Sequence, residues 1–466
     1  MPDQLISHLR EQEHALVEAI RAEHPERVER MVSPDPDIIL GRIGITYLSP
    51  ARPSGYIKLF AHDFLVEEVS RDGSIVSLSH ASPFESNEDE RTLWADLIKA
   101  NISGFNATND LAHLLKIEPG QIGFAGIKDA VAVTSQRVSL RGVKKELAET
   151  LEHEHMMLRP VRYGNGAIQP GELSGNRFTI VVRTAPDQSI DTLMKQLGQD
   201  GFLNFFGSQR FGPRLIAQRL GQKLLQDDTD GALQIFFGEP GLFDVPLYHD
   251  LRKALGEAYG DWGQMLAIAE NFPFTLSNEI KVLKALQRDP MKTRLALAQI
   301  QEQVKMWVYG YGSWVVNRYL SELVEQGKNI PDEIPLALME QGLPPEYQHL
   351  FEHDGTENYL EQLKKFPYVQ AAKRGIPGRI KLTDLKWQEI PQGWVVRFSL
   401  PKGAYATSCL SHMFRLYSGW PIPEWVKKEE VDALAAVENG TIAPLREKFA
   451  SVLERPILKE EAETTN

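Results

Sequence analysis

Residues 122–140 read IGFAGIKDAVAVTSQRVSL, and this stretch sets an acid, Asp129, beside a base, Lys128, between two glycines and a β-branched run. The closing QRVSL reads as a strand, whereas Gly123 and Gly126 mark a short loop in front of it. A carboxylate in such a loop is held by backbone on both sides. A neighbouring lysine stabilises its ionised form. Taken alone the Lys-Asp pair has an equally ready explanation, because turns and caps use Asp constantly.

Working outward, short β-branched runs recur from about 56 to 184 as SGYIKLF, SIVSLSH, QRVSL and NRFTIVVRT. Between them TLWADLIKANISGFNATNDLAHLL reads as helical. The pattern is mixed α/β without a regular βαβ repeat. From roughly 225 to 380 the strand signals fade and helical stretches such as TRLALAQIQEQVKMWVYGYGSWVVNRYLSELVEQ dominate, before strands return in GWVVRFSLPKGAYATSCL. Leu5, Leu9, Leu16 and Ile20 are spaced for an N-terminal helix that breaks at SPDPD. The expected organisation is a helical extension and linker over 1–50, an α/β domain over 51–225 and 381–450, a helix-rich insertion over 226–380, and an acidic tail over 451–466.

With 466 residues, 42% hydrophobic and 24% charged, the chain is long enough for more than one core. The N-terminus lacks the basic start and apolar segment of a secretory signal, and no run approaches the ~20 apolar residues of a membrane span. A cytoplasmic protein is expected. Cys409 is the single cysteine, which excludes an intramolecular disulfide and a cysteine-rich zinc site. A net charge of −12 argues against indiscriminate coating of nucleic acid, yet Arg137, Arg141, Lys144, Lys145 and Arg210, Arg214, Arg219, Lys223 form local basic clusters. His153 and His155 stand two apart, a poor spacing for metal ligands, and YGNGAIQPGELSGN (163–176) has neither phosphate-loop spacing. NFFGSQRFG (204–212) fits no clean period of 2.0 or 3.6, so core packing accounts for only some of its rings.

Five blocks in order resemble the TruD family of tRNA pseudouridine synthases. YIKLFAHDFLVEEV (56–69) resembles the family's K-x-x-P-E-D-F-x-V-x-E segment, residues 122–140 its G-x-A-G-x-K-D-x-x-A-V-T-x-Q loop, and SGNRFTIVVR (174–183) its G-N-x-F-x-I strand. NFFGSQRFG resembles N-Y-F-G-x-Q-R-F-G, and LPKGAYATSCL (400–410) resembles L-P-x-G-S-Y-A-T. Departures are Ala61 and His62 before the Asp-Phe pair, Ala130 and Val131 where basic residues are usual, and Gly312 where Gln is usual. Less phosphate attraction beside Asp129 is the expected consequence.

The resemblance implies an α+β fold, a pseudouridine-synthase catalytic domain with a mixed, largely antiparallel sheet and an inserted helix-rich domain. It implies isomerisation of a tRNA uridine, specifically uridine 13 of the D arm, with no cofactor and no metal. By that resemblance Asp129 is the catalytic carboxylate and Lys58 the lysine beside it. Phe206 is the ring that stacks on the target base, Asn204 a nearby polar residue, and Phe64 and Tyr405 further aromatics of the pocket. Lys128, Arg210 and Arg214 are expected at RNA phosphates, where contacts position without reading sequence. tRNA is the only expected partner and the chain is expected to be a monomer. Two alternatives stay open at this point, a catalytically silent RNA-binding protein on the same scaffold and a synthase acting on another RNA. A metabolic enzyme using the glycine-bearing loop for a phosphate lacks the required spacing.

Overall fold

A computed structural model describes residues 2–30, 32–49, 51–82, 84–87, 91–438 and 440–453. The expected acidic tail, from residue 454 onward, lies outside the described residues. By internal contacts the chain divides into two units, Met1–Leu48 with Leu203–Gly378, and Ser49–Phe202 with Arg379–Asn466.

The second unit is built on a ten-stranded sheet. Its strands are β1 (Ser54–Ile57), β2 (Phe64–Ser70), β3 (Thr92–Ala100), β4 (Ile122–Phe124), β5 (Val133–Leu140), β6 (Met156–Gly164), β7 (Leu173–Thr184), β8 (Thr383–Ile390), β9 (Gly393–Pro401) and β10 (Arg415–Ser418). The main path runs β8-β9-β7-β2-β5-β3-β6, with β1 joining β7 to β10 and β4 lying along β5. Only β2/β5 and β1/β10 pair in parallel, so the sheet is mixed and mostly antiparallel. This is the α+β class expected from the sequence.

Both faces of the sheet are covered. Phe64, Val66, Ile180 and Val182 pack against Met194 and Leu197 of the helix Asp191–Asp200 and against Cys409 and Leu410. The intervening Leu65, Val133 and Val181 pack with Leu434, Leu445 and Phe449 on the opposite side. Alternate side chains therefore enter alternate cores, and a central strand such as β5 is buried along its whole length, polar residues included.

That double burial explains where sequence periodicity misleads. TLWADLIKANISGFNATNDLAHLL, read as helical throughout, is β3 followed by the helix Gly104–Leu115. Six consecutive residues of β3, Asp96's neighbours included, are buried from Ala95 to Ala100, which erases the two-residue alternation. SIVSLSH, read as a strand, makes one isolated bridge, Val69 to Ile75. The Val76 N–H donates to the Glu68 carbonyl, but the next two N–H groups are taken by side chains: Ser77 donates to Ser82 Oγ and Leu78 to Glu67 Oε1.

The first unit is helical. Its longest helix, Gln301–Glu325, packs on Ala217–Leu225, where a Cβ at Gly221 would stand 2.2 Å from the Trp307 carbonyl oxygen. The N-terminal helices belong here too: Val28, Ile43 and Ile45 share a core with Leu220, Trp307 and Val315. The unit thus takes in residues 1–48 and begins again at Leu203, where the sequence reading set an independent extension over 1–50 and an insertion from 226.

Candidate active site

Strand β4 pairs with the end of β5, Gly123 opposite Ser139, so residues 125–132 form a closed excursion between two paired strands. The pairing demands glycine at one of the two positions. A Cβ at Gly123 would stand 2.4 Å from Ser139 Oγ and 2.5 Å from the Ile168 carbonyl oxygen, whereas one at Gly126 would meet nothing closer than 3.8 Å. The excursion is tied down by Gln136 Nε2 donating to the Gly126 carbonyl (3.3 Å) and by the Asn101 N–H donating to the Ala132 carbonyl (3.1 Å).

At its tip the Asp129 carboxylate accepts from Lys58 Nζ at 3.0 Å, and its side chain is one third exposed. Lys58 follows β1 and has φ +61°, the left-handed region that a side chain pays to occupy. Strain of this kind clusters where geometry serves a site. The ammonium lies 4.2 Å from the centroid of the Phe64 ring. Phe64 itself is 1% exposed and meets Phe178 edge-on, so it supports Lys58 from the core and offers a substrate almost no surface. Tyr405, at the start of the helix Ala406–Ser411, is 42% exposed.

Asn204 and Phe206 lie in the helical unit. Asn204 Nδ2 donates to the Pro377 carbonyl at 2.9 Å. Phe206 is clamped through its backbone: its N–H donates to Asn317 Oδ1 (2.8 Å) and its carbonyl accepts from Asn317 Nδ2 (2.9 Å). Arg210 lies 5.4 Å from the Phe206 ring centroid, with no carboxylate paired to it among the described residues.

Two residues expected at RNA phosphates are placed otherwise. Lys128 Nζ donates to Glu68 Oε2 at 2.6 Å, with both side chains buried, so its charge is spent inside the fold. Glu68 also accepts from the Arg137 N–H at 3.2 Å. Arg214 donates to the carbonyls of Phe236 and Glu239 and faces Glu279, a structural role within the helical unit. Arg137 of the basic cluster is likewise buried on Asp96. Residue type alone marks these side chains as cations; their partners stand tens of residues away.

Sequence reading passed over Lys99. It lies on β3, is 1% exposed, and donates to the carbonyls of Ile102 (2.8 Å) and Asp129. Its signal was a lysine inside the apolar LWADLIKA. Among the described residues no group of three His, Cys, Asp or Glu side chains is arranged to hold a metal ion, and no helix is long and apolar enough to cross a membrane.

Residues 43–372 match the family tRNA pseudouridine synthase D (TruD). A probable tRNA pseudouridine synthase D 1 of Methanocaldococcus jannaschii is 27% identical over 384 residues, covering 78% of this chain and 96% of its own. A probable tRNA pseudouridine synthase D of Thermococcus onnurineus is 28% identical over 414 residues, covering 78% and 95%. The crystal structure of the putative tRNA pseudouridine synthase D (TruD) from Methanosarcina mazei superposes with a TM-score of 0.67 over 83% of this chain and 99% of that one, at 19% identity, a likeness of fold. These matches define the class, the isomerases that make pseudouridine in tRNA. Within it, the chain belongs to the tRNA pseudouridine synthase D (TruD) family.

Proposed function

We propose that this protein isomerises a specific tRNA uridine, uridine 13 of the D arm, with Asp129 as its catalytic carboxylate. The observation that carries the reading is the partly exposed Asp129 carboxylate, held by Lys58 at 3.0 Å on a loop closed by paired strands.

In the reaction the bond from uracil N1 to C1′ of the ribose breaks, the base turns, and C5 bonds to C1′. The proton lost from C5 is balanced by one gained at N1, so no oxidant, reductant or energy source is consumed. Attack on C1′ and removal of a ribose proton both require an ionised carboxylate within bonding reach. Lys58 orients Asp129 for either step. A uridine stacked in folded RNA must first leave its stack. The family resemblance gives Phe206 the role of the ring that stacks on the detached base, Asn204 and Tyr405 those of further base contacts, and Arg210 that of a contact to the RNA backbone. With Lys128 and Arg214 committed to internal partners, fewer cations remain for phosphates, and tRNA shape carries more of the recognition. The reading places the protein in the cytoplasm, with its substrate.

The test is turnover and binding measured together on a tRNA transcript. Asp129→Asn is expected to abolish turnover and leave tRNA affinity within about threefold, because it removes a transition-state interaction alone. Phe206→Ala is expected to lower both affinity and rate. Undiminished turnover in Asp129→Asn would refute the reading.

A further inference from the structure

The cations around the proposed catalytic loop fall into three kinds. Lys58 reaches the Asp129 carboxylate from outside, at 3.0 Å. Lys128 is neutralised by Glu68. Lys99 differs from both: among the described residues no carboxylate pairs with its ammonium, and its hydrogen bonds go to two backbone carbonyls, Ile102 and Asp129.

A buried ammonium without a contacting anion is costly, and a methionine would occupy the same path through the core at less cost. The surroundings register this. Burial foremost, then the like charges of Lys128 and Lys58, lower the Lys99 pKa to about 7, against the opposing pull of Asp129. Even a neutral amine has two N–H donors, enough for both carbonyls. The arrangement of the loop therefore survives the loss of the proton.

The geometry has a direction. Lys99 rises from a central strand paired on both edges, to β5 and to β6. It binds the Asp129 peptide at the carbonyl, while Lys58 binds the same residue at the carboxylate. One residue is thus gripped from the core at its backbone and from the surface at its side chain.

We propose that Lys99 is a positioning residue of the isomerisation, which fixes the Asp129 carbonyl from the core so that the carboxylate is held at one height toward the ribose. The proposal rests on the reading of Asp129 as the catalytic carboxylate. It adds a residue that never touches the RNA and acts only through the backbone of the one that does.

The test compares kcat and KM on a tRNA transcript for the wild type, Lys99→Met, Lys99→Arg and Asp129→Asn, each first shown to be folded by its thermal transition. Lys99→Met keeps an unbranched apolar stem one atom shorter and loses the donors; a displacement of roughly 1 Å at the reacting group costs about 100-fold, so kcat is expected to fall by that order with KM unchanged. Lys99→Arg restores donors, and a cavity of about 20 Å³ lined by Lys99, Gly126 and Ile127 gives its extra atoms room, so most of kcat returns. A folded Lys99→Met with wild-type kcat overturns the assignment, as does a loss seen in KM alone. Should Lys99→Met not fold, Lys99→Gln, with donors on a shorter stem, is read on the same scale: reduced kcat at constant KM supports the role and wild-type kcat overturns it. Full turnover in Asp129→Asn overturns the underlying reading, and the Lys99 role with it. Loss in Asp129→Asn beside wild-type kcat in Lys99→Met removes Lys99 alone.

Discussion

At the scale of the residue, function and stability pull Lys58 in opposite directions. Its φ of +61° costs a side-chain-bearing residue about 1 kcal/mol, which glycine avoids. Its ion pair with Asp129 is partly exposed, so that pair contributes little to folding. Lys58→Gly is therefore expected to leave the unfolding free energy unchanged or raised by about 1 kcal/mol. Turnover should fall on the order of 100-fold as the orienting cation is lost. Urea unfolding and a single-turnover assay on the same preparation check both halves, and a variant that is destabilised and active would contradict the account. The motifs that hold Lys58, Asp129 and Phe206 are legible in the sequence because each is long, and the contact between Lys58 and Asp129 is what the structure adds. Lys99 and Glu68 were not legible, since their meaning depends on contacts 30 and 60 residues away along the chain. The same distance hid the fate of Lys128 and Arg214, whose type is cationic and whose partners are internal.

At the scale of the element, the excursion between β4 and β5 depends on one of its glycines for space and not on the other. Gly123→Ala would drive a methyl into Ser139 Oγ and the Ile168 carbonyl, both on paired or packed backbone, and is expected to destabilise by about 2 kcal/mol and reduce activity. Gly126→Ala, with ordinary contacts around it, is expected to stay within about 0.5 kcal/mol of the wild type and to keep its turnover. Thermal unfolding and activity of the pair settle the distinction, and equal damage in both would show that the loop needs backbone freedom rather than room. Strands β5 and β7 were readable from sequence, being β-branched and bounded by turn residues. Strand β3 was not. Burial on both faces removes the alternation that marks a strand, and the helix Gly104–Leu115 follows it after three residues, so the two merge into one apolar stretch.

At the scale of the whole molecule, folding is coupled to pH through buried histidines in the unit that holds the ten-stranded sheet. Burial, with the charges of Arg446 and Arg183 added, lowers the His62 pKa to about 3. Burial likewise lowers that of His412 to about 4, against a hydrogen bond with the Ser408 carbonyl. Both rings are neutral when folded and become protonated on unfolding below about pH 6.5, so the unfolded chain binds more protons and stability is lost as the pH is lowered. The loss runs from about pH 6.5 down to the folded values and approaches about 1.4 kcal/mol per pH unit for each histidine. His62→Phe, stacked on Phe60 as His62 is, should flatten part of this slope in urea unfolding between pH 7 and 4.5; an unchanged slope would contradict the assignment. A mixed α/β pattern and the helix-rich remainder were visible in the patterning, and the α+β class came with the family resemblance. The membership of residues 1–48 in the helical unit was not visible, because three buried side chains, Val28, Ile43 and Ile45, decide it and none announces its partner.

The most direct test of the central claim is to incubate the wild type and Asp129→Asn with an unmodified tRNA transcript and map pseudouridine by reverse transcription after carbodiimide treatment. The account predicts one new stop, one nucleotide 3′ of uridine 13 in the D arm, with the wild type and none with Asp129→Asn. A stop that persists with Asp129→Asn, or wild-type protein that binds the tRNA and leaves no stop anywhere on it, would contradict it.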